Sequence, residues 1–428
     1  MARTRAAGTS AAAMVLALTA VTAGGCGGGP DGAAGDSAAV AIDVDHADTL
    51  ADQAVRLRIT GLAPGAEVTV TSQASDHRAE SWQAHATFVA DPQGTVDLST
   101  TAPRSGSYQG VDGMGLFWAM EPPAGGGGAV FAPKFPQLQH SYQVRLTVDG
   151  GGRKQAVRVL ERRWLGDGVT ARELTPASDG IAGELFLPAA GANRRPAVLV
   201  FGGSEGGTGQ NFTAALLASH GYPALALGYF GLPGLPATLQ DIRLEYFAAA
   251  ARLLATQPGV DPARILAMGY SRGSEAALLL ADDYPSLVHG AVVYSPSAQV
   301  NPGFPSGPTA WTLDGKPVPS GTIPLDRVDG PLLAIAGADD GIWPSADWAG
   351  RIAAAPGLPR DGNQHRAIVY PAAGHLVGTF PYLAAGTTLA GAGTGQSQNF
   401  GGTRAGNAAA QAAGWAQVLA LLDGLHGN

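Results

Sequence analysis

The stretch ILAMGYSRGSEAALLLADDY holds a serine in a setting suited to nucleophilic chemistry. A short apolar run, Ile265 to Met268, meets Gly269-Tyr270-Ser271-Arg272-Gly273, and Ala and Leu then recur at helical spacing. This G-x-S-x-G pattern between a strand and a helix makes Ser271 either a nucleophile on a sharp turn or a serine that starts a helix. An acid and a histidine follow. The run PLLAIAGADDGIWP ends in Gly337-Ala338-Asp339-Asp340, and RAIVYPAAGHLVG ends in Gly374-His375. In a triad, His375 would take the Ser271 proton, and an aspartate would fix the imidazole tautomer and stabilise the imidazolium. Spacing from the glycine favours Asp340 for that role, with Asp339 the alternative. A tetrahedral oxyanion needs two backbone donors. One is the amide after the nucleophile, Arg272, at a helix N-terminus. The other is expected from Gly203 or Ser204 in the glycine-rich FGGSEGG. A phosphate cradle is the other reading of that loop, but it lacks the Lys-Ser/Thr of a P-loop and the spacing of a dinucleotide fingerprint.

These residues must be carried by strands. Short apolar runs predict strands at Glu184–Leu187, Ala197–Phe201, Ala224–Leu227, Ile265–Met268, Gly290–Tyr294, Leu332–Ala336 and Ala367–Tyr370. Between them NFTAALLASHG, QDIRLEYFAAAARLLATQ and GSEAALLLADDY carry helical spacing, and a last helix is expected around Ala408 to Leu425. Alternating strands and helices imply an α/β class with a mostly parallel, doubly wound sheet. The chain order Ser, Asp, His is that of the α/β-hydrolase fold. The Pro- and Gly-rich segment 299–330 lies between two sheet strands and is expected to supply a cap or pocket wall. No metal-ligand cluster is visible, and the chemistry needs no cofactor.

Upstream, from Ala39 to about Glu161, the period is two. VRLRITGL puts Val55, Leu57 and Ile59 on one face, LAPGAE leads into Val68 and Val70, and YQVRLTVDGGGRKQAVRVL alternates around a turn at Asp149–Gly152. Short strands with polar turns suggest a small β-sandwich over residues 39–163, followed by the α/β region over 164–428. Phe117 and Trp118 are expected at a contact between the two regions, an exposed aromatic patch being the alternative.

The chain starts MARTRAAGTSAAAMVLALTAVTAGGCGGG, with Arg3 and Arg5 before a small-residue apolar stretch. This reads as an export signal over residues 1–26, with residues 27–38 a flexible tether. AGGC resembles a bacterial lipobox, with Ala23 where that motif usually has Leu. Cys26, the single cysteine of the chain, would then bear the lipid and hold the protein at the extracytoplasmic face of the membrane. Ordinary secretion is the alternative. Across 428 residues, 45% are apolar, 14% are charged and the formal net charge is −8. These values describe a globular chain and argue against a nucleic-acid partner.

VFGGSEGG, LLASHGYPALALGYFGLPGLP, LEYFAAAARLL, GYSRGSEAAL, GADDGIWPS and YPAAGHLV together resemble the acyl-CoA thioesterase / bile acid-CoA:amino acid N-acyltransferase family. VRLRITGLAPGAEVTV and YQGVDGMGLFWAM resemble that family's immunoglobulin-like N-terminal domain. The resemblance implies Ser271 as nucleophile, Asp340 as acid and His375 as base. It implies an acyl-CoA or related acyl (thio)ester as the small-molecule substrate. Acyltransferase members use cysteine where this chain has serine, which leans the expectation toward hydrolysis. Acyl transfer to an amine or alcohol, or a non-catalytic surface binding protein, are the alternatives. An export signal sits uneasily with an intracellular thioester, and coenzyme A's phosphates call for cations, for which Arg194, Arg195, Arg243 and Arg272 are the candidates.

Overall fold

The Val260–Tyr270 strand, which ends at the serine turn, lies inside an eight-stranded sheet. The computed structural model describes residues 39–123, 130–150, 153–191, 193–356, 365–378, 380–390 and 397–427. The signal, the tether and Cys26 lie outside the described residues. The sheet runs Thr170–Leu174, Ala182–Leu187, Ala224–Gly228, Arg195–Phe201, Val260–Tyr270, Ala291–Tyr294, Leu332–Gly337, Arg366–Tyr370. Ala182–Leu187 pairs antiparallel with both neighbours, and every other pairing is parallel. This order and the single reversed strand are the α/β-hydrolase fold.

Strands with helices on both faces are buried on both faces, so they read as continuous apolar runs. Along Arg195–Phe201, Val198 and Val200 enter one core while Ala197, Leu199 and Phe201 enter the other. The first core packs against the Asn211–Ser219 and Arg404–Gly427 helices, through residues such as Leu216 and Trp415. The second packs against Leu244–Ala255, Arg272–Asp283 and Ser345–Ala353, through Phe247, Leu278 and Trp348. The Thr170–Leu174 strand has no counterpart among the predicted strands. It is an edge strand with four exposed residues and one buried, so it carries no apolar run to detect.

The N-terminal region forms a six-stranded and a three-stranded sheet. Val55, Leu57, Ile59, Val68 and Val70 are buried, and Ser141–Gly150 pairs antiparallel with Arg153–Arg163. Its core is continuous with the first core of the α/β region. Phe117 and Trp118 lie in a short buried helix, Gly115–Trp118. Ala385 N–H donates to the Trp118 carbonyl at 3.0 Å, and Arg404 Nη2 donates to the Met120 carbonyl at 2.6 Å. These two aromatics are thus buried where the two regions meet. Beside them, Asp52 of the N-terminal region accepts from Trp415 Nε1 at 2.7 Å and pairs with His220 at 2.5 Å.

Candidate active site

The turn at Ser271 is built by close backbone approach. Ser271 has φ 54° and ψ −123°, a conformation that an L-residue adopts only under constraint. A Cβ on Gly269 would stand 2.2 Å from the Gly273 carbonyl oxygen, and one on Gly273 would stand 2.2 Å from that of Gly202. Only glycine fits either position. Ser271 precedes the Arg272–Asp283 helix but makes no side-chain cap hydrogen bond. Its hydroxyl instead faces His375 Nε2 at 2.9 Å.

His375 Nδ1 lies 2.8 Å from Asp340 Oδ2. A carboxylate accepts, so Nδ1 carries the proton in that contact and Nε2 is free to accept from Ser271. Asp340 and His375 have side chains only 3% and 2% exposed. Asp340 Oδ1 accepts from Ile342 N–H at 2.8 Å and Trp343 N–H at 3.2 Å, and Ser345 Oγ donates to Oδ2 at 2.6 Å. Asp339 is exposed, and its backbone N–H donates to the Ala373 carbonyl at 2.9 Å.

The histidine is held at its backbone. Its N–H donates to the Phe400 carbonyl at 2.7 Å, and its carbonyl accepts from Ser295 Oγ at 2.6 Å and Tyr270 Oη at 3.0 Å. Gly374 N–H donates to Asn407 Oδ1 at 2.7 Å. A side chain at Gly374 would meet Gly401 O at 2.2 Å, so the chain leading into His375 is threaded against 400–402. The rings of Tyr270, Trp343 and Phe400 pack around the imidazole.

The expected oxyanion donors lie on either side of Ser271. Arg272 opens its helix, where the first amides have no intrahelical acceptor. Gly203 packs so closely that a Cβ would sit 2.8 Å from Ser271 Cβ. Tyr229 Oη donates to the Gly203 carbonyl at 2.9 Å and the Gly202 carbonyl at 3.0 Å, which steadies this loop. Ser204, one residue on, is half-buried. Gly203 N–H itself points at both carboxylate oxygens of Glu205, each at 2.9 Å. Glu205 is exposed. Desolvation by the protein around its carboxyl raises its pKa above the usual value, against the hydrogen bonds of its own amide and Gly203 and the charge of His375.

Of the arginines expected to serve anionic groups, Arg272, Arg195 and Arg194 are placed otherwise. Arg272 is buried, and its guanidinium pairs with Glu275 at 2.6 Å and donates to the Asn301 carbonyl at 3.0 Å. Arg195 begins a strand whose far end leads to Gly202, so it lies at the opposite end of the sheet from Ser271. There it lines a cavity of about 580 Å³ together with Gly221 and Gly259. Arg194 stands beside it, exposed. Arg243 is exposed beside Glu245 at 3.6 Å. Segment 299–330 contributes Asn301 and Trp311 to the Arg272–Glu275 pair, Trp311 Nε1 donating to Glu275 at 2.8 Å. It packs on the Leu244–Ala255 and Arg272–Asp283 helices.

Sequence reasoning passed over Ser345, Asn407, Tyr270, Ser295 and Glu205. For most of these no motif exists, since each acts through a hydrogen bond across the fold. Glu205 did carry a signal, as the one charged residue in FGGSEGG.

Comparison with known proteins follows the same lines. Residues 52–176 match the acyl-CoA thioester hydrolase/BAAT N-terminal region, and residues 307–425 match the BAAT/acyl-CoA thioester hydrolase C terminal. Mouse acyl-coenzyme A thioesterase 6 is 30% identical over 359 residues, 76% of this chain and 82% of the mouse protein. Mouse acyl-coenzyme A thioesterase 1 is 31% identical over 399 residues, 86% of this chain and 92% of its own. Among solved structures, an esterase from Pyrobaculum calidifontis superposes with a TM-score of 0.36 at 18% identity, covering 47% of this chain and 75% of that one.

Proposed function

Because the chain belongs to the acyl-CoA thioester hydrolase/BAAT family, we propose that it is a serine hydrolase of the acyl-CoA thioesterase type, acting on an acyl-CoA or related acyl (thio)ester. Ser271 Oγ attacks the acyl carbonyl while His375 Nε2 takes its proton. The developing oxyanion is received by the Arg272 and Gly203 amides. Collapse breaks the carbonyl–sulfur or carbonyl–oxygen bond, and His375 returns the proton to the leaving group. Water, deprotonated by His375, then attacks the acyl-serine, and the acid leaves as Ser271 regains its proton. Asp340 holds the imidazole in the tautomer both half-reactions need.

The observation that supports this reading is the row from Asp340 through His375 to Ser271, with contacts of 2.8 and 2.9 Å, on a serine in a strained backbone conformation. Hydrolysis rather than transfer is favoured by the serine, since an oxygen-ester acyl-enzyme reacts less readily with amines than a thioester does. The test is labelling by a fluorophosphonate together with hydrolysis of a long-chain acyl-CoA and of p-nitrophenyl octanoate. Ser271→Ala should abolish labelling and lower turnover roughly 10³-fold or more. Equal slow rates for wild type and variant, with Ser271 unlabelled, would sink the proposal. From the N-terminal sequence, separately, we propose that a lipid on Cys26 holds the protein at the extracytoplasmic face. Cys26→Ser should then release it from membranes or block processing, and normal processing with retained membrane binding would overturn that placement.

A further inference from the structure

The glycine pair after the Arg195–Phe201 strand holds a carboxylate already. Both oxygens of Glu205 face Gly203 N–H at 2.9 Å. A Cβ on Gly202 would stand 1.9 Å from Glu205 Oε1, and one on Gly203 would stand 3.2 Å from Oε2 and 2.8 Å from Ser271 Cβ. The two glycines therefore form a cradle that the carboxylate fills, beside the Ser271 side chain. Gly202 is not among the residues with positive φ, so the close approach of Glu205, rather than backbone conformation, is what a side chain there would disturb.

The reaction proposed above ends with a carboxylate at this place, because deacylation leaves the product acid with an oxygen in the oxyanion position. We propose that Glu205 is a positioning residue that mimics the product carboxylate: it reoccupies the Gly203 amide after each turnover and so displaces the acid product. This rests on the assignment of Ser271 and Gly203 to the reaction. One N–H cannot serve two anions at full strength, and two carboxylates at one donor repel. The product's apparent affinity is then scaled down by the fraction of molecules whose amide is vacant. Glu205 must also withdraw when substrate binds. It can do so because its side chain reaches solvent, and because desolvation by the protein around the carboxyl disfavours its charged form where it sits.

The experiment measures inhibition of p-nitrophenyl octanoate hydrolysis by octanoate, and the rate of fluorophosphonate labelling, in wild type, Glu205→Gln, Glu205→Ala and Gly202→Ala. The inhibition constant for octanoate should fall roughly tenfold in Glu205→Ala, the scale of one charge-assisted hydrogen bond, and labelling should quicken. Gly202→Ala should act in the same direction with Glu205 intact, since the three atoms nearest to its added methyl all belong to Glu205. It carries the test if Glu205→Ala fails to fold. Unchanged or weaker octanoate inhibition in folded variants would overturn the inference. If wild type itself resists the fluorophosphonate, it is the assignment of Ser271 that falls instead.

Discussion

Ser345 and His375 share one oxygen of Asp340: Ser345 Oγ lies 2.6 Å from Oδ2, and His375 Nδ1 lies 2.8 Å from the same atom. The carboxylate is thereby oriented from the far side of the imidazole, with its other oxygen tied to the Ile342 and Trp343 amides. Asp340→Asn should lower turnover by roughly 10⁴-fold, because the amide can present an N–H to His375 and reverse its tautomer. Asp339→Asn should leave turnover near wild type. Ser345→Ala removes one neutral donor and should cost about 1 kcal/mol, roughly a fivefold loss. Steady-state kinetics on one activated ester decides all three, and equal losses at Asp339 and Asp340 would contradict the assignment.

The Arg272–Glu275 pair is buried, with side chains 8% and 0% exposed. Removing only the guanidinium leaves a buried carboxylate unmatched. Arg272→Met should therefore destabilise the fold by about 3–5 kcal/mol, read as a lowered denaturation midpoint. Arg272→Met with Glu275→Leu should recover much of that loss, because the uncompensated charge is gone. A single variant as stable as wild type would show that the pair carries no such role.

His220 reports on the contact between the two regions. Burial alone would lower its pKa, but the hydrogen bond and charge of Asp52, aided by Asp423, outweigh that and raise it above 6.5. A raised folded pKa means that the stabilisation is complete below the unfolded value near pH 6.5 and fades as pH climbs through the folded value. The melting-temperature gap between wild type and His220→Gln should be widest below pH 6.5 and shrink above it. A gap that widens with pH would reverse this reading.

Glu184 stands directly across from Glu173 in the antiparallel pair at the sheet edge, and it accepts from Asn211 Nδ2 at 2.7 Å. Burial, then the charge of Glu173, pushes its pKa from 4.5 up to about 7. The protein thus loses stability relative to a neutral side chain as pH rises from about 4.5 through about 7. Glu184→Gln should match wild type near pH 4.5 and melt at a higher temperature at pH 8. Thermal scans across that range provide the check, and a variant less stable at pH 8 would contradict it.

The sequence alone determined the elements whose signal is local. Strands buried on both faces announced themselves as apolar runs, because a doubly covered strand has no polar side. The tight approach around Ser271 demanded glycine at 269 and 273, and that demand is written as a motif. Tertiary structure decided everything that depends on which ends come together. The sheet order sets the Val260–Tyr270 and Leu332–Gly337 strands either side of Ala291–Tyr294, and only that crossover brings the loops bearing Ser271, Asp340 and His375 into one hydrogen-bonded row. Thr170–Leu174 becomes a strand through pairing with Ala182–Leu187 rather than through its own composition. Arg272 faces inward because Glu275 and the Asn301 carbonyl meet it there, and Glu205 turns back onto Gly203 because two glycines leave room for its carboxylate. Side-chain hydrogen bonds between segments far apart in the chain leave no periodicity or spacing to read, so their partners are chosen only when the backbone is in place.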